Sequence, residues 1–343
     1  MKLKEFARNN RYTTMLIGLL VLVLAFFSAT KGKLFWQGSL WQGMMFQFPE
    51  YGCMTLGLMF AFISGHMDMS FVMLGNFSSI IAVKYMIANV EEGMANSQIG
   101  GIILTAIGIA LAIAVVGGII NSLLVSRLNI PPVMATIAMQ LVWQGFSTAL
   151  TKGYALPGLP SLYTEIGHKA LFGFLPVPLL IFIVLFLVAA FLLKYTVFGE
   201  KLYMLGTNKK AAQFSAINVH GMLMTSYILS AVFSCVGTLI MVSTMGSAKA
   251  DYGISYTMRC ILILVLAGVL PDGGMGKIRD VLLAILTIQC IATGVNLFPS
   301  MNTYYGSLIW GGLLIIVLIA STKMTDNGPK KLKAPKKTTQ TVA

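Results

Sequence analysis

Charge is what this sequence has least of. Asp, Glu, Lys and Arg make up 10% of its 343 residues, against about 25% in an ordinary soluble domain. A chain that is also 57% hydrophobic cannot cover a globule with charged side chains. That excludes a soluble domain, and equally a disordered chain, which needs low hydrophobicity. The four cysteines, Cys53, Cys235, Cys260 and Cys290, are scattered through apolar segments with no C-x-x-C pair. A disulfide scaffold is therefore excluded, and these thiols read as small buried hydrophobes. The three histidines, His66, His168 and His220, stand far apart, and no H-E-x-x-H occurs. No G-x-S-x-G elbow is present either. The stretch Gly273-Gly274-Met275-Gly276-Lys277 fails as a phosphate loop: Pro271 stands where the first glycine belongs, and Ile278 replaces the Ser or Thr that would hold Mg²⁺. The 22 methionines are spread along every apolar segment, as gap fillers are, rather than gathered as copper ligands. The sequence thus offers no catalytic centre, no metal site and no cofactor site of its own.

Long uncharged runs are what it does have. They cover residues 12–30, 93–126, 128–151, 170–193, 211–248 and 281–322. Crossing a bilayer takes about 20 apolar residues. The fold class expected is an all-α polytopic membrane protein with about ten transmembrane helices. They fall near 13–29, 47–65, 70–90, 98–125, 132–151, 172–195, 219–245, 256–271, 277–297 and 301–321, with Pro299 dividing the last long run. Residues 1–322 form one transmembrane domain, and residues 323–343 a basic, disordered tail. The basic start and long first run read as an uncleaved helix rather than a signal peptide. Residues 34–48 mix Phe35, Trp36, Trp41 and Phe46 with Gln37, Gln42 and Gln47. They suit either a short helix lying on the membrane surface or an aromatic belt on the second helix.

The net charge of +13 is then a topological signal. With the N-terminus in the cytoplasm, seventeen Lys and Arg fall inside. They include Arg11, Arg127, Lys201, Lys209, Lys210, Lys277 and Arg279. Six fall outside: Lys31, Lys33, Lys152, Lys169, Lys249 and Arg259. The positive-inside rule therefore predicts an even number of helices and both termini cytoplasmic. The positive charge is explained by topology, with the tail lysines as lipid contacts, and no nucleic-acid partner is expected.

Three polar stretches interrupt the apolar runs. Ser64-Gly65-His66-Met67-Asp68-Met69-Ser70 reads as a broken helix lining a path, or as a turn in which Asp68 or Ser70 accepts an N–H at the start of the third helix. Asn121, Ser122 and Ser126 precede Arg127 and the tandem Pro131-Pro132, which ends one helix and starts the next. Residues 199–218 form a polar island between the sixth and seventh helices. There Thr207 or Asn208 can cap a short helix running to Ile217, with small Ala211, Ala212, Ser215 and Ala216 and one apolar anchor, Phe214. Such a helix is too short to stand alone and needs a partner surface.

These pieces together resemble the membrane-spanning permease subunits of bacterial ABC importers of the ribose and monosaccharide type. The resemblance runs from about residue 34 to 319. It rests on Ser64-Gly65-x-x-Asp68-x-Ser70 and on Asn121-Ser122-Leu123-Leu124-Val125 with Ile130-Pro131-Pro132 and Ala135-Thr136. It continues through Gly206-Thr207-Asn208-x-x-Ala211-Ala212-x-x-Ser215-Ala216-Ile217, and ends with Gly268, Gly273-Gly274-x-Gly276 and Gly294-Val295-Asn296. It implies a cytoplasmic coupling helix carried by Asn208, Lys209, Lys210, Ala211, Ala212, Phe214, Ser215 and Ile217. That helix docks on a separate nucleotide-binding subunit, which holds the ATP and Mg. It also implies a second permease subunit, the same chain or a related one, an external substrate-binding protein and a place in the bacterial inner membrane. For the path the candidates are Ser64, His66, Asp68, Asn121 and Asn296. Arg259 is a candidate for the face that meets the binding protein. The sequence departs from the family pattern at His66, at Phe71-Val72-Met73, at Glu200, and at Thr257 and Arg259, where acids are usual. The expected function is inward carriage of a small polar solute such as a monosaccharide. The alternative is a stand-alone ion-coupled transporter, which would need central carboxylates or half-helices around a midplane ion site.

Overall fold

A computed structural model describes residues 11–91, 93–171, 173–298 and 306–326. Residues 323–326 of the proposed tail are helical, the end of the last helix; its remainder from 327 onward, Pro299, and the basic residues Lys2, Lys4 and Arg8 lie outside the described residues. The helices are α1 (Arg11–Lys31), α2 (Gly38–Ile63), α3 (Phe71–Asn89), α4 (Asn96–Ser126), α5 (Pro132–Thr151), α6 (Ser161–His168), α7 (Val177–Tyr195), α8 (Val197–Thr207), α9 (Lys209–Phe214), α10 (Val219–Met245), α11 (Ile254–Leu266), α12 (Ile278–Asn296) and α13 (Gly306–Asp326). A two-stranded hairpin, Ala170–Leu171 with Leu175–Pro176, joins α6 to α7. Among the described residues seven helices, α1, α3, α4, α5, α7, α10 and α12, are long and apolar enough to cross a membrane.

Two expectations change. Residues 38–48 do not form a separate surface helix; they are the first turns of α2, which runs through Pro49 without a break. The ring of Trp36, just ahead of it, stacks on that of Trp41 in its first turn, with centroids 5.4 Å apart. The eighth predicted helix, 256–271, is only Ile254–Leu266. Thirteen residues rise about 20 Å, short of a hydrocarbon core of about 30 Å.

α10 is the central helix, packed by α2, α3 and α4. In lipid the hydrophobic effect does not drive helices together, so close approach must do so. Glycines provide it here. A side chain at Gly57 would strike the Ser230 carbonyl and Phe233, one at Gly118 the backbone at Tyr227 and Ile228, and one at Gly237 the Glu50 carbonyl. Gly57 opposite Ser230 and Gly237 opposite Glu50 also fix α2 and α10 as antiparallel. The loop after α2 and the loop after α10 therefore leave from opposite ends of the bundle. Both turn back inward. Asp68 hydrogen-bonds Ser230, eleven residues into α10, while Gly253 sits against Val72 and Met241. α3 and α11 consequently begin inside the bundle, not at its ends.

Candidate functional site

α9 is a helix of six residues. It starts because the Asn208 side chain accepts the Ala211 N–H at 3.1 Å, an N-cap that satisfies one orphan donor. It stops at Phe214, short of Ile217, because Ala216 adopts a left-handed φ of 56°, and the Ile217 N–H bonds back to the Ala212 carbonyl at 3.1 Å. Ala212 is buried in a small cluster with Leu205, Val219 and Leu223, against which Ile217 and Met222 pack. Lys209, Lys210, Ala211 and Ser215 are exposed. Phe214 is 93% exposed, so the helix holds on by its small residue and presents its large apolar one outward.

This segment also meets the rest of the bundle through direct backbone contact. A side chain at Gly206 would overlap the Ile63 carbonyl and the Gly274 nitrogen, and one at Gly273 would overlap Gly65 and Gly206. The Gly274 N–H donates to the Ile63 carbonyl at 2.8 Å. Three chain segments, 63–65, 206–207 and 273–274, thus meet where no Cβ fits, next to the cap of α9.

From that junction the chain climbs to Asp68. Asp68 and Ser64 are fully buried, and Asn121 is buried with them. One Asp68 carboxylate oxygen accepts the Ser70 N–H at 3.0 Å and the Ser70 hydroxyl at 2.8 Å, and the other accepts the Ser230 hydroxyl at 3.0 Å. Asn121 Nδ2 donates to Ser70 Oγ at 2.6 Å. Ser64 Oγ donates to the Ala61 carbonyl at 2.7 Å. The structure brings Asp68 and Asn121 into one polar core with Ser70 and Ser230, while Ser64 and His66 sit on the loop that leads to it. Asp68 there forms the turn that launches α3, and none of Ser64, Asp68 and Asn121 faces open space. His66 is half-buried at the foot of this loop, with Nδ1 2.8 Å from the Ser64 carbonyl. Burial holds its pKa below the ordinary imidazole value, and the Lys209 charge adds to that shift. Asn296 stands apart as the exposed last residue of α12.

A second polar core was not anticipated. Glu50 is buried on α2 and accepts the Tyr256 hydroxyl at 2.9 Å. Arg259 is half-buried on α11. Its guanidinium lies over the rings of Tyr51, Tyr256 and Trp310, at 5.1, 5.4 and 4.6 Å from their centroids. Gln289 joins Tyr51 to Gln47 and Thr293. The signal in the sequence was Glu50 itself, a carboxylate inside a predicted span, where ionisable groups are costly.

α5 presents a third feature. Gln140, Gln144 and Thr148 recur every four residues along one side of this helix, which buries Ala135, Thr136, Trp143, Ser147 and Thr151 on another. Gln144, Thr148 and Lys152 line an open hollow of about 600 Å³. Two amides facing acyl chains would be unpaired in hydrocarbon, so this row fits a polar environment. No group of three or more His, Cys, Asp or Glu side chains that could hold a metal occurs among the described residues.

Residues 40–318 match the family described as branched-chain amino acid transport system / permease component. The autoinducer 2 import system permease protein LsrD of Photorhabdus laumondii is 30% identical over 274 residues, covering 78% of each chain. The protein of the same name from Yersinia enterocolitica is 30% identical over 275 residues, covering 78% of this chain and 79% of its own. No solved structure matches. The chain belongs to this family of transport permeases, and is the multi-pass, inner-membrane permease subunit of an ABC importer.

Proposed function

We propose that this chain pairs with a second permease chain and carries a small, neutral, sugar-like solute inward, an autoinducer-2-type compound being the leading candidate because the relatives bear that name. ATP is hydrolysed in a separate nucleotide-binding subunit, which holds the Mg, and the solute arrives on an external binding protein. The charge asymmetry supports a cytoplasmic place for the 197–218 segment and for both termini. The observation that carries the reading is α9. Phe214 stands 93% exposed on a helix whose base is locked into the glycine junction, so a push on α9 reaches the 64–70 loop without passing through flexible side chains.

The path is better placed along the Gln140, Gln144 and Thr148 row of α5 than through Ser64, Asp68 and Asn121, which are buried within the chain. A paired subunit would face that row and enclose it. Asp68 then acts as the hinge of the 64–70 loop.

The test is reconstitution with its ATPase and binding-protein partners. Ala212→Trp enlarges the buried foot of α9, and should abolish ATP-dependent uptake while the permease still inserts. Normal uptake by that variant would remove the coupling assignment. Both α3 and α11 begin inside the bundle, the half-helix geometry an ion-coupled carrier would need. Uptake by the chain alone, without ATP, would decide for that alternative.

A further inference from the structure

Between α1, α2, α7 and α12 lies a half-open hollow of about 290 Å³, lined among others by Leu20, Leu24, Trp41, Met44, Leu179 and Cys290. Its walls are almost wholly apolar. The one amide among them, Gln289, is satisfied within the chain. Its Oε1 accepts the Tyr51 hydroxyl, and its Nε2 donates to Gln47 and Thr293 at 3.1 and 3.0 Å. The Trp41 indole N–H is likewise spent on the Phe35 carbonyl at 3.0 Å. A hollow that offers no polar partner does not hold water.

Hydrocarbon is the other solvent at hand. α1 packs on α12 and α7 packs on α2, so the hollow lies between two helices that face lipid. Val21, Leu22 and Phe26 of α1 are exposed, and so are Val184, Leu187 and Phe191 of α7. Wall atoms with no neighbour forfeit dispersion contacts, which an acyl chain restores.

The independent observation is a charge at one end of the hollow. Lys31 follows Leu24 by seven residues, close to two full turns. It therefore lies on the same side of α1, about 10 Å farther along. Its Nζ sits 3.9 Å from the centroid of the Phe298 ring. That ring belongs to the cluster formed by Met44 and Cys290 with Leu20, Leu24 and Trp41, all of which line the hollow. Among the described residues Lys31 pairs with no carboxylate. From residue 12 to 49 the only charges are Lys31 and Lys33, with no acid. Trp36, stacked on Trp41, marks this end as the headgroup level, where amphipathic rings collect.

We infer that this hollow is a phospholipid site, taking one acyl chain between α1 and α7 and the lipid phosphate on Lys31. The chain fills a gap that the protein's own side chains leave open, and so ties the first helix to the bundle. The phosphate supplies the negative charge that the sequence withholds from this end.

Native mass spectrometry of the full-length permease in detergent, with phosphatidylglycerol added, tests the site. The native chain should keep one phosphatidylglycerol. Leu24→Trp puts an indole into the hollow and should lose it; Leu179→Trp does the same from α7, in case the first does not fold. Lys31→Gln should weaken binding about fivefold, whereas Lys152→Gln, at an exposed lysine outside the hollow, should leave it unchanged. Dioleoylglycerol, which has acyl chains and no phosphate, should bind the native chain and Lys31→Gln alike. Full retention of phosphatidylglycerol by the folded tryptophan variants would show that no chain enters the hollow. Equal binding by Lys31→Gln and Lys152→Gln would show that the phosphate is not held there. Either result overturns the site.

Discussion

At the scale of single residues, the informative groups are the few charges kept inside an apolar bundle. Glu50 and Arg259 interact across α2 and α11, with Tyr256 bonded to the first and stacked under the second. Arg259→Ala removes the cation from three rings and from Glu50. It should cost about 2 kcal/mol, read as a lower unfolding temperature in detergent, and Glu50→Gln in the same chain should restore part of it. No recovery in the double variant would show that the two charges do not act on each other. His66 gives a pH signature. Its folded pKa lies below the unfolded value of about 6.5 because burial and Lys209 disfavour the imidazolium. Its neutral form therefore contributes fully above about pH 6.5, and that contribution is lost as pH falls through the folded value. The unfolding temperature of the native protein should fall more steeply as pH drops below about 6.5 than that of His66→Gln; parallel curves would assign the pH dependence to another group. Asp68 was legible from sequence because it interrupts two apolar runs. Glu50 was not, because the Trp- and Gln-rich residues before it disguised the start of α2. It looked like a group at a helix end, whereas it lies twelve residues inside.

At the scale of elements, α9 shows what local chemistry can and cannot reveal. Its cap, Asn208, and its small-residue face follow from residue types. Its early stop at Phe214 comes from the left-handed Ala216, which no propensity predicts. Asn208→Ala deletes the cap from a helix too short to survive without it. The loss, about 1 kcal/mol, should appear as faster amide exchange across 209–214 with no change in α10. Unchanged exchange would mean that packing of Ala212 alone holds the helix. The glycine junction was equally hidden, since Gly65, Gly206 and Gly273 lie far apart in sequence. Gly206→Ala places a methyl into the Ile63 carbonyl and Gly274 nitrogen. Backbone cannot yield as a side chain can. This variant should therefore lose transport more completely than Gly100→Ala, whose added methyl meets nothing. Equal activity of the two would remove the junction from the coupling route.

At the scale of the whole molecule, charge and helix direction converge. α1 starts at the end of the bundle that holds the junction, because Tyr12 packs on Gly268 and Thr13 donates to Asp280 at 2.7 Å. Lys201, Lys209 and Lys277 lie toward that end. Lys152, Lys169 and Lys249 belong to the opposite end, where Leu156 pairs with Ala248 and Tyr163 donates to the Leu239 carbonyl. An orientation set by basic residues therefore demands that the whole first group face the cytoplasm, not merely one loop. With all four native cysteines buried, Lys201→Cys and Lys169→Cys report the two sides separately. In intact cells an impermeant maleimide should label Lys169→Cys and leave Lys201→Cys untouched, and opening the membrane should expose the second. Labelling in the reverse order would put α9 outside, out of reach of any ATPase, and would end the importer reading whatever the solute.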